Sequence, residues 1–307
     1  MKTIFFSLFT CILLALGLVF QSCEDDNNVP QIGVCLKNPT NDFRKALQTH
    51  AVNYLESYGL MYSIGSSENE QKQGELVASM VEKGCKVLIV SPEGEAKDAL
   101  NAAVNAGIPV VFAEAAPIAN YAVLVEIDNN AIGQSAATFF NKQENIKKIA
   151  LFSVQQDVAS STGRIKGITD KLNANLDVVT IDLDSYTSEA GKTAAQKILA
   201  EHTDVDAIYA QDDEIALGVL SALAESQQIK AIVGCGGSRS YFERIKTSTN
   251  IHLATTLYSP KALMEAAVKE ANEILGKGDI PTNKKVSLDS ELVDKENVNT
   301  YLQNSPY

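Results

Sequence analysis

Short apolar runs alternate with segments of helical period along most of this chain. Residues 32–36 (IGVCL) form the first run. Phe43, Leu47, Ala51 and Tyr54 then recur at helical spacing until Gly59 ends the pattern. Further strands are predicted at 60–64, 86–90, 108–113 and 122–127, with intervening helices that stop at Gly84 and Gly107. After a helix at 130–142 the pattern repeats. Strands are predicted at 148–154, 177–183, 207–210, 231–234 and 252–258, and helices at about 162–173, 188–201, 214–225, 240–247 and 260–276. Strands apolar on both faces and separated by helices predict parallel sheets covered on both sides. The two halves, about 32–127 and 148–258, carry five strand–helix units each. That favours two doubly wound α/β domains over a single eight-stranded barrel.

The first 22 residues stand apart. Residues 4–20 are an uncharged apolar run, Lys2 is the only charge before Glu24, and Gln21-Ser22-Cys23 follows. A small residue before a Cys, after such a run, resembles a bacterial lipoprotein signal, although Phe20 sits where Leu is usual. The resemblance implies cleavage before Cys23 and lipidation of its thiol. An uncleaved anchor and a plain secretory leader are the alternatives; in all three the body leaves the cytoplasm. Residues 23–30 read as a tether, and Glu24-Asp25-Asp26 resemble signals that route lipoproteins to the surface of some Gram-negative cells. The expected location is the cell envelope, lipid-anchored, on the periplasmic face or the surface.

Charge narrows the partners. The chain has 26 Lys and Arg against 38 Asp and Glu, a net −12, which argues against a nucleic-acid ligand. Three His and scattered Cys leave little for a metal site, and none is expected. Cys35, Cys85 and Cys235 are read as free thiols with no disulfide framework.

In open α/β sheets, ligands sit beyond the carboxyl ends of the strands. Here those loops are rich in Asn, Asp, Glu, Ser and Arg, with Phe43, Tyr186 and Tyr258 in or beside them. Planar polar groups match vicinal hydroxyls, and aromatic faces match the C–H face of a sugar ring. Two facing loop sets would make a polar cleft with apolar walls. Ordinary caps and turns use the same residue types, so the composition alone leaves both readings open.

Several segments carry a more specific likeness: IGVCLKNPTNDF (32–43), KVLIVSPEGEAKDAL (86–100), AGIPVVFAEA (106–115), VEIDNNAIG (125–133), TGRIKGI (162–168), AIYAQDDEIALGVLSAL (207–223), AIVGCGG (231–237) and ELVDKENVNTYL (291–302). On these the chain, from about Gln31 to Tyr301, resembles the type I periplasmic binding proteins, nearest the ribose-binding branch. The resemblance implies two Rossmann-like lobes joined by three strands near 129–131, 258–260 and 284–288, closing on a sugar by hinge motion. Residues 31–129 with 260–285 would form one lobe, and 130–259 with 286–307 the other. It also implies roles. Asn41 would bond sugar hydroxyls, Phe43 would stack on the ring, and Ser91 would line the floor. Glu114 would bind paired hydroxyls, Arg164 would grip an oxygen, Tyr186 would stack from the second lobe, and Asp212 falls where the family carries Asn or Asp. Gly236 and Ser259 stand where the family has an aspartate and an amide. Ala115 replaces an arginine that pairs with the preceding acid. The space at Ala115, Gly236 and Ser259 favours a larger sugar than ribose, and Arg44 a ligand with an acidic group.

The function implied is an extracytoplasmic lipoprotein, monomeric and without cofactor, that binds a monosaccharide or small polyol for an ABC permease. Presenting the bound sugar to a membrane sensor kinase is the first alternative, and an unrecognised glycoside-processing enzyme the lesser one. Catalysis is not expected. There is no Gly-x-Ser-x-Gly, and Gly234-Cys235-Gly236-Gly237 lacks the spacing of a dinucleotide loop. Asp212 and Asp213 are adjacent at a helix start and so point apart. Arg164 and Asp212 are expected to share the cleft and to pair when it is empty. Arg164 is placed at the cleft wall rather than in a core.

Overall fold

The computed structural model describes residues 29–307 except 69, 156–157, 224–227 and 306. The leader, Cys23 and nearly all of the expected tether lie outside the described residues.

In chain order the first half comprises β1 (Ile32–Leu36), α1 (Asp42–Ser57), β2 (Tyr62–Ser66), α2 (Glu70–Glu82), β3 (Val87–Val90), α3 (Lys97–Asn105), β4 (Val110–Ala113) and β5 (Val123–Ile127). Then come α4 (Asn129–Asn141), β6 (Lys148–Val154), α5 (Val158–Lys171), β7 (Asp177–Leu183), α6 (Ser188–Glu201), β8 (Ala207–Tyr209), α7 (Asp213–Leu223), β9 (Ala231–Gly236), α8 (Arg239–Thr247) and β10 (His252–Leu257). The chain ends with α9 (Pro260–Lys277), β11 (Lys284–Leu288), β12 (Leu292–Asp294) and α10 (Val298–Leu302). Two six-stranded sheets result, ordered β11-β5-β4-β3-β1-β2 and β12-β10-β9-β8-β6-β7. Among the described residues every pairing is parallel except β10 with β12. The α/β class and the doubly wound arrangement are those expected.

Both faces of each sheet are dry. Alternate residues of one strand serve opposite faces, as the pleat requires. In β1, Val34 and Leu36 join the cluster under α1 and α9, while Cys35 joins the one under α2 and α3. All three candidate thiols are free and buried. Burial pushes the Cys35 thiol up to about 12, with a smaller contribution from Cys85 beside it.

The end of the chain differs from expectation. Residues 284–288 pair along their whole length with β5. They belong to the first sheet, and the chain passes to the second only between Leu288 and Leu292. A boundary at 285 would cut β11. Neither β11 nor β12 carries the apolar run that marks the central strands: β11 reads KKVSL and its residues are exposed or half-buried. Both are edges of their sheets, where one side of the strand meets water.

The second lobe is drawn tight by glycine. A Cβ on Gly133 of α4 would lie 2.0 Å from the Arg164 carbonyl oxygen, and one on Gly167 of α5 would lie 2.1 Å from that of Asn130. The two backbones can approach this closely only because those positions lack side chains. The crossing sets Arg164, on α5, against Asn129 at the start of α4.

Candidate functional site

The carboxyl ends of both sheets face a cavity of about 130 Å³.

One wall comes from the first lobe. Asn41 caps α1, its side-chain oxygen accepting from Arg44 N–H at 2.9 Å, which leaves its amide NH₂ to donate. Phe43, the second residue of the helix, is almost wholly buried; its ring lies 5.5 Å from that of Tyr258 and 5.9 Å, edge-on, from that of Tyr307. Glu114 follows β4 with φ of 78°, a left-handed conformation that non-glycine residues adopt only when their surroundings impose it. The surroundings are visible: Tyr258 Oη donates to the Glu114 carbonyl at 2.7 Å, Ser91 Oγ donates to its carboxylate, and Lys37 Nζ lies 3.8 Å from the other carboxylate oxygen. Lys37 thus supplies the positive charge that Ala115 lacks. Arg44 lines the cavity while Nη1 reaches the Asn38 carbonyl at 3.3 Å.

The second lobe supplies the other wall. Arg164 is 5% exposed. Its Nε donates to Asn129 Oδ1 at 2.8 Å, its Nη1 to the Gln211 carbonyl at 2.7 Å, and its guanidinium carbon stands 5.0 Å from the centre of the Tyr258 ring. The expected pairing with Asp212 does not occur; the guanidinium is held by neutral acceptors. Arg164 is also more deeply set than a cleft-wall position implied. Gln211 is fully buried, its amide NH₂ donating to the Phe152 carbonyl at 2.8 Å, while its side-chain oxygen has no hydrogen-bond partner among the described residues.

Asp212 and Asp213 diverge as adjacent residues at a helix start should. Asp212 lines the cavity and accepts from Glu214 N–H at 2.6 Å. Burial pushes its pKa up to about 7, with Asp213 adding to the rise and the Glu214 N–H and Arg164 opposing it. Asp213 turns inward. It accepts from Thr255 Oγ1 at 2.6 Å and from the backbone N–H groups of Gly237 and Ser238 at 2.7 and 2.8 Å, fixing the turn between β9 and α8.

Of the predicted site residues, Asn41, Phe43, Glu114, Arg164, Tyr186, Asp212 and Gly236 line this one cavity. Two do not. Ser91 is fully buried below Glu114, and Ser259 caps α9 by accepting from Ala262 N–H at 3.1 Å. The neighbour of Ser259, Tyr258, lines the cavity instead. The space expected at Gly236 is filled by the Tyr307 phenol: a Cβ at 236 would come within 2.2 Å of its oxygen. Lys37, Gln211 and Tyr307 carried no predicted role. Lys37 and Gln211 are each the first polar residue after an apolar strand, a signal available in the sequence. Tyr307 had none.

Among the described residues, no group of three or more His, Cys, Asp or Glu is placed to hold a metal ion, and no helix is long and apolar enough to cross a membrane.

Residues 32–279 match the model of a periplasmic binding protein domain. The chain belongs to that family. Among curated relatives, the ribose import binding protein of Bacillus subtilis (strain 168) is 26% identical over 249 residues, covering 80% of this chain and 81% of its own. Among solved structures, an ABC transporter solute-binding protein from Mycobacterium smegmatis with bound glycerol superposes with a TM-score of 0.80 at 24% identity, covering 91% of this chain and 99% of its own. One from Actinobacillus succinogenes 130z with bound D-allose gives 0.79 at 20% identity, covering 89% and 100%. These structures share the fold. The curated relatives are ribose import binding proteins rather than enzymes, in agreement with the expectation of a non-catalytic protein. Family membership implies an extracytoplasmic location.

Proposed function

We propose that this protein binds a monosaccharide or similar small polyol between its lobes and delivers it to an ABC permease. The observation that carries this reading is the convergence on one small cavity of donors and acceptors from both sheets with aromatic rings between them. Asn41, Lys37 and Arg164 offer donors. Glu114 and the unpaired Gln211 side-chain oxygen offer acceptors, and Asp212, near its midpoint at neutral pH, offers either. A polyol, each of whose hydroxyls both donates and accepts, suits such a mixed set. A lone carboxylate or ammonium does not. Phe43, Tyr186 and Tyr258 supply apolar surface for C–H groups. We further propose that the mature chain begins at Cys23, carries lipid there, and acts as a monomer tethered to the envelope.

A thermal-shift screen of the mature protein against pentoses, hexoses, inositols and uronic acids tests the ligand class. A ligand that binds the native state alone adds ~2.7 kcal/mol at a hundredfold excess over Kd. A clear rise with at least one such compound is expected; no rise with any, alongside one with amino acids or peptides, removes the reading. The anchor is tested by Cys23→Ser, which should release the protein from the membrane fraction.

A further inference from the structure

Tyr307 is remote in sequence from every other residue of the cavity, yet it stands inside it. Three contacts hold it there. Its ring meets Phe43 edge-on, its backbone oxygen accepts from Arg239 N–H at 2.8 Å at the start of α8, and its hydroxyl fills the space over Gly236. The last contact is a mutual fit, because any side chain at 236 would expel the phenol. Burial and the nearby Asp212 and Asp213 carboxylates push the pKa of that phenol up, so it remains a neutral donor.

A second cavity, of about 240 Å³, adjoins the first. Asn41, Phe43, Asp212 and Tyr307 line both. The second cavity adds polar groups of its own, Ser188 and Glu214 among them. Of the four shared residues, Asn41 and Asp212 are held as helix-start acceptors and Phe43 is almost buried. Tyr307 is the one whose removal would open the partition without disturbing a helix.

We propose that Tyr307 sets the size of the ligand: it limits the cleft to one sugar ring and closes off a neighbouring space that would accept a second. This rests on the sugar-binding reading above. The phenol gives the bound ring a further aromatic contact beside Phe43. Its loss therefore removes a favourable contact as well as a barrier.

Calorimetry on the full mature chain, Tyr307→Phe and Tyr307→Ala separates the possibilities. D-Ribose, D-allose and D-galacturonate serve as one-ring probes; maltose, cellobiose and lactose serve as two-ring probes. Circular dichroism verifies that each variant is folded. The parent should bind a one-ring probe and refuse all two-ring probes, and Tyr307→Phe should keep that selectivity. Tyr307→Ala should bind the one-ring probe roughly tenfold more weakly and should now take a two-ring probe. The proposal is overturned if Tyr307→Ala still refuses every two-ring probe, if it binds the one-ring probe as tightly as the parent or more tightly, or if the parent itself takes two rings. In those cases the sugar-binding reading stands. If none of the three proteins binds any sugar, that reading fails and the size role fails with it.

Discussion

On the second lobe's side of the cleft, Arg164 is 5% exposed and its guanidinium is held by Asn129 and the Gln211 carbonyl. The strand-end turn beside it hangs on two hydrogen bonds to Asp213, which also accepts one from Thr255 of β10. On the first lobe's side, Lys37 and Glu114 face each other at 3.8 Å with side chains 16% and 12% exposed, and Asn41 and Arg44 ride on the first turn of α1. The strand-end loop there is clamped by a neutral side chain: Gln73 donates to the Ser91 carbonyl at 2.8 Å and accepts from Glu93 N–H at 2.7 Å. Both lobes therefore hold their binding loops with one buried side chain from a neighbouring helix. One uses a carboxylate and the other an amide. Arg164 pins the second wall from a nearly dry position; the first is wetter at Lys37 and Glu114, whose opposite charges meet each other. A pinned wall loses less entropy on binding and sets orientation. A wetter wall adapts, and its charges choose among ligands.

The sharpest break in this comparison is removal of the carboxylate clamp. Asp213→Ala deletes three hydrogen bonds to a carboxylate and leaves their donors buried, which costs about 3–5 kcal/mol. Gln73→Ala loses two neutral bonds and should cost about 1–3 kcal/mol. Chemical denaturation of both variants measures the difference. Equal losses would mean that the two clamps are equivalent despite their charge.

Arg164→Ala comes next. Charge-assisted hydrogen bonds contribute ~1.5–3 kcal/mol each, so sugar affinity should fall roughly tenfold to a few hundredfold. Because Arg164 is buried and holds the Asn129 side chain and the Gln211 carbonyl, the variant should also lose stability, by about 1–3 kcal/mol. That loss departs from what a residue on the cleft wall alone would give. Lys37→Ala, on the wetter wall, should weaken binding without a comparable drop in denaturation midpoint. A stable Arg164→Ala, or a strongly destabilised Lys37→Ala, would reverse the contrast.

How much of this contrast was readable in the chain depends on how far apart the cooperating residues lie. The parallel strands and the loops beyond them were legible because an apolar run followed by a polar loop is local. Asn41 and Glu114 were legible for the same reason. Arg164 was placed at the site, but its burial depends on the close crossing of α4 and α5, for which Gly133 and Gly167 were the only trace. The strand at 284–288 was expected only as a crossing between the lobes; its place in the first sheet was not legible, because KKVSL lacks the apolar run that marks a central strand. Ser259 and Tyr258 were confused by one residue, although Ser-Pro before a helical pattern is a capping signature. The position of Tyr307 follows from packing between distant segments and has no local signal.

Titration of Asp212 gives a smaller, pH-dependent effect. Its pKa is raised from 3.8 to about 7 by burial, reinforced by Asp213. Between about pH 4 and pH 7 the native state therefore holds a proton that the unfolded chain has released, so stability falls as pH rises through that window. Below it the group is neutral in both states and the penalty is absent; above it the penalty is complete. Asp212→Asn should remove this component. Denaturation midpoints at pH 5 and pH 8 should differ less in the variant than in the parent. A difference of the same size in both would place the titration elsewhere, with Asp213 and Glu214 as the neighbouring carboxyls whose pKa values are also raised by burial.

The smallest effect belongs to Ser259. The resemblance placed it among ligand contacts, but its hydroxyl is committed to Ala262 N–H at the start of α9 and it stands outside the cavity. Ser259→Ala should therefore behave as a lost helix cap, costing about 1 kcal/mol of stability, with sugar affinity within twofold of the parent. Helix α9 runs under the first sheet, so the cap steadies the first lobe and touches neither wall. Tyr258→Phe, one residue earlier, provides the contrast. It removes the hydroxyl that holds the Glu114 carbonyl at 2.7 Å, and with it one of the bonds that keep Glu114 in its left-handed conformation, so affinity should fall by a few fold with little change in the ring stacked on Arg164. Paired calorimetry and melting measurements on the two variants distinguish a cap from a site residue. A loss of affinity in Ser259→Ala greater than that in Tyr258→Phe would return Ser259 to the site and move Tyr258 out of it.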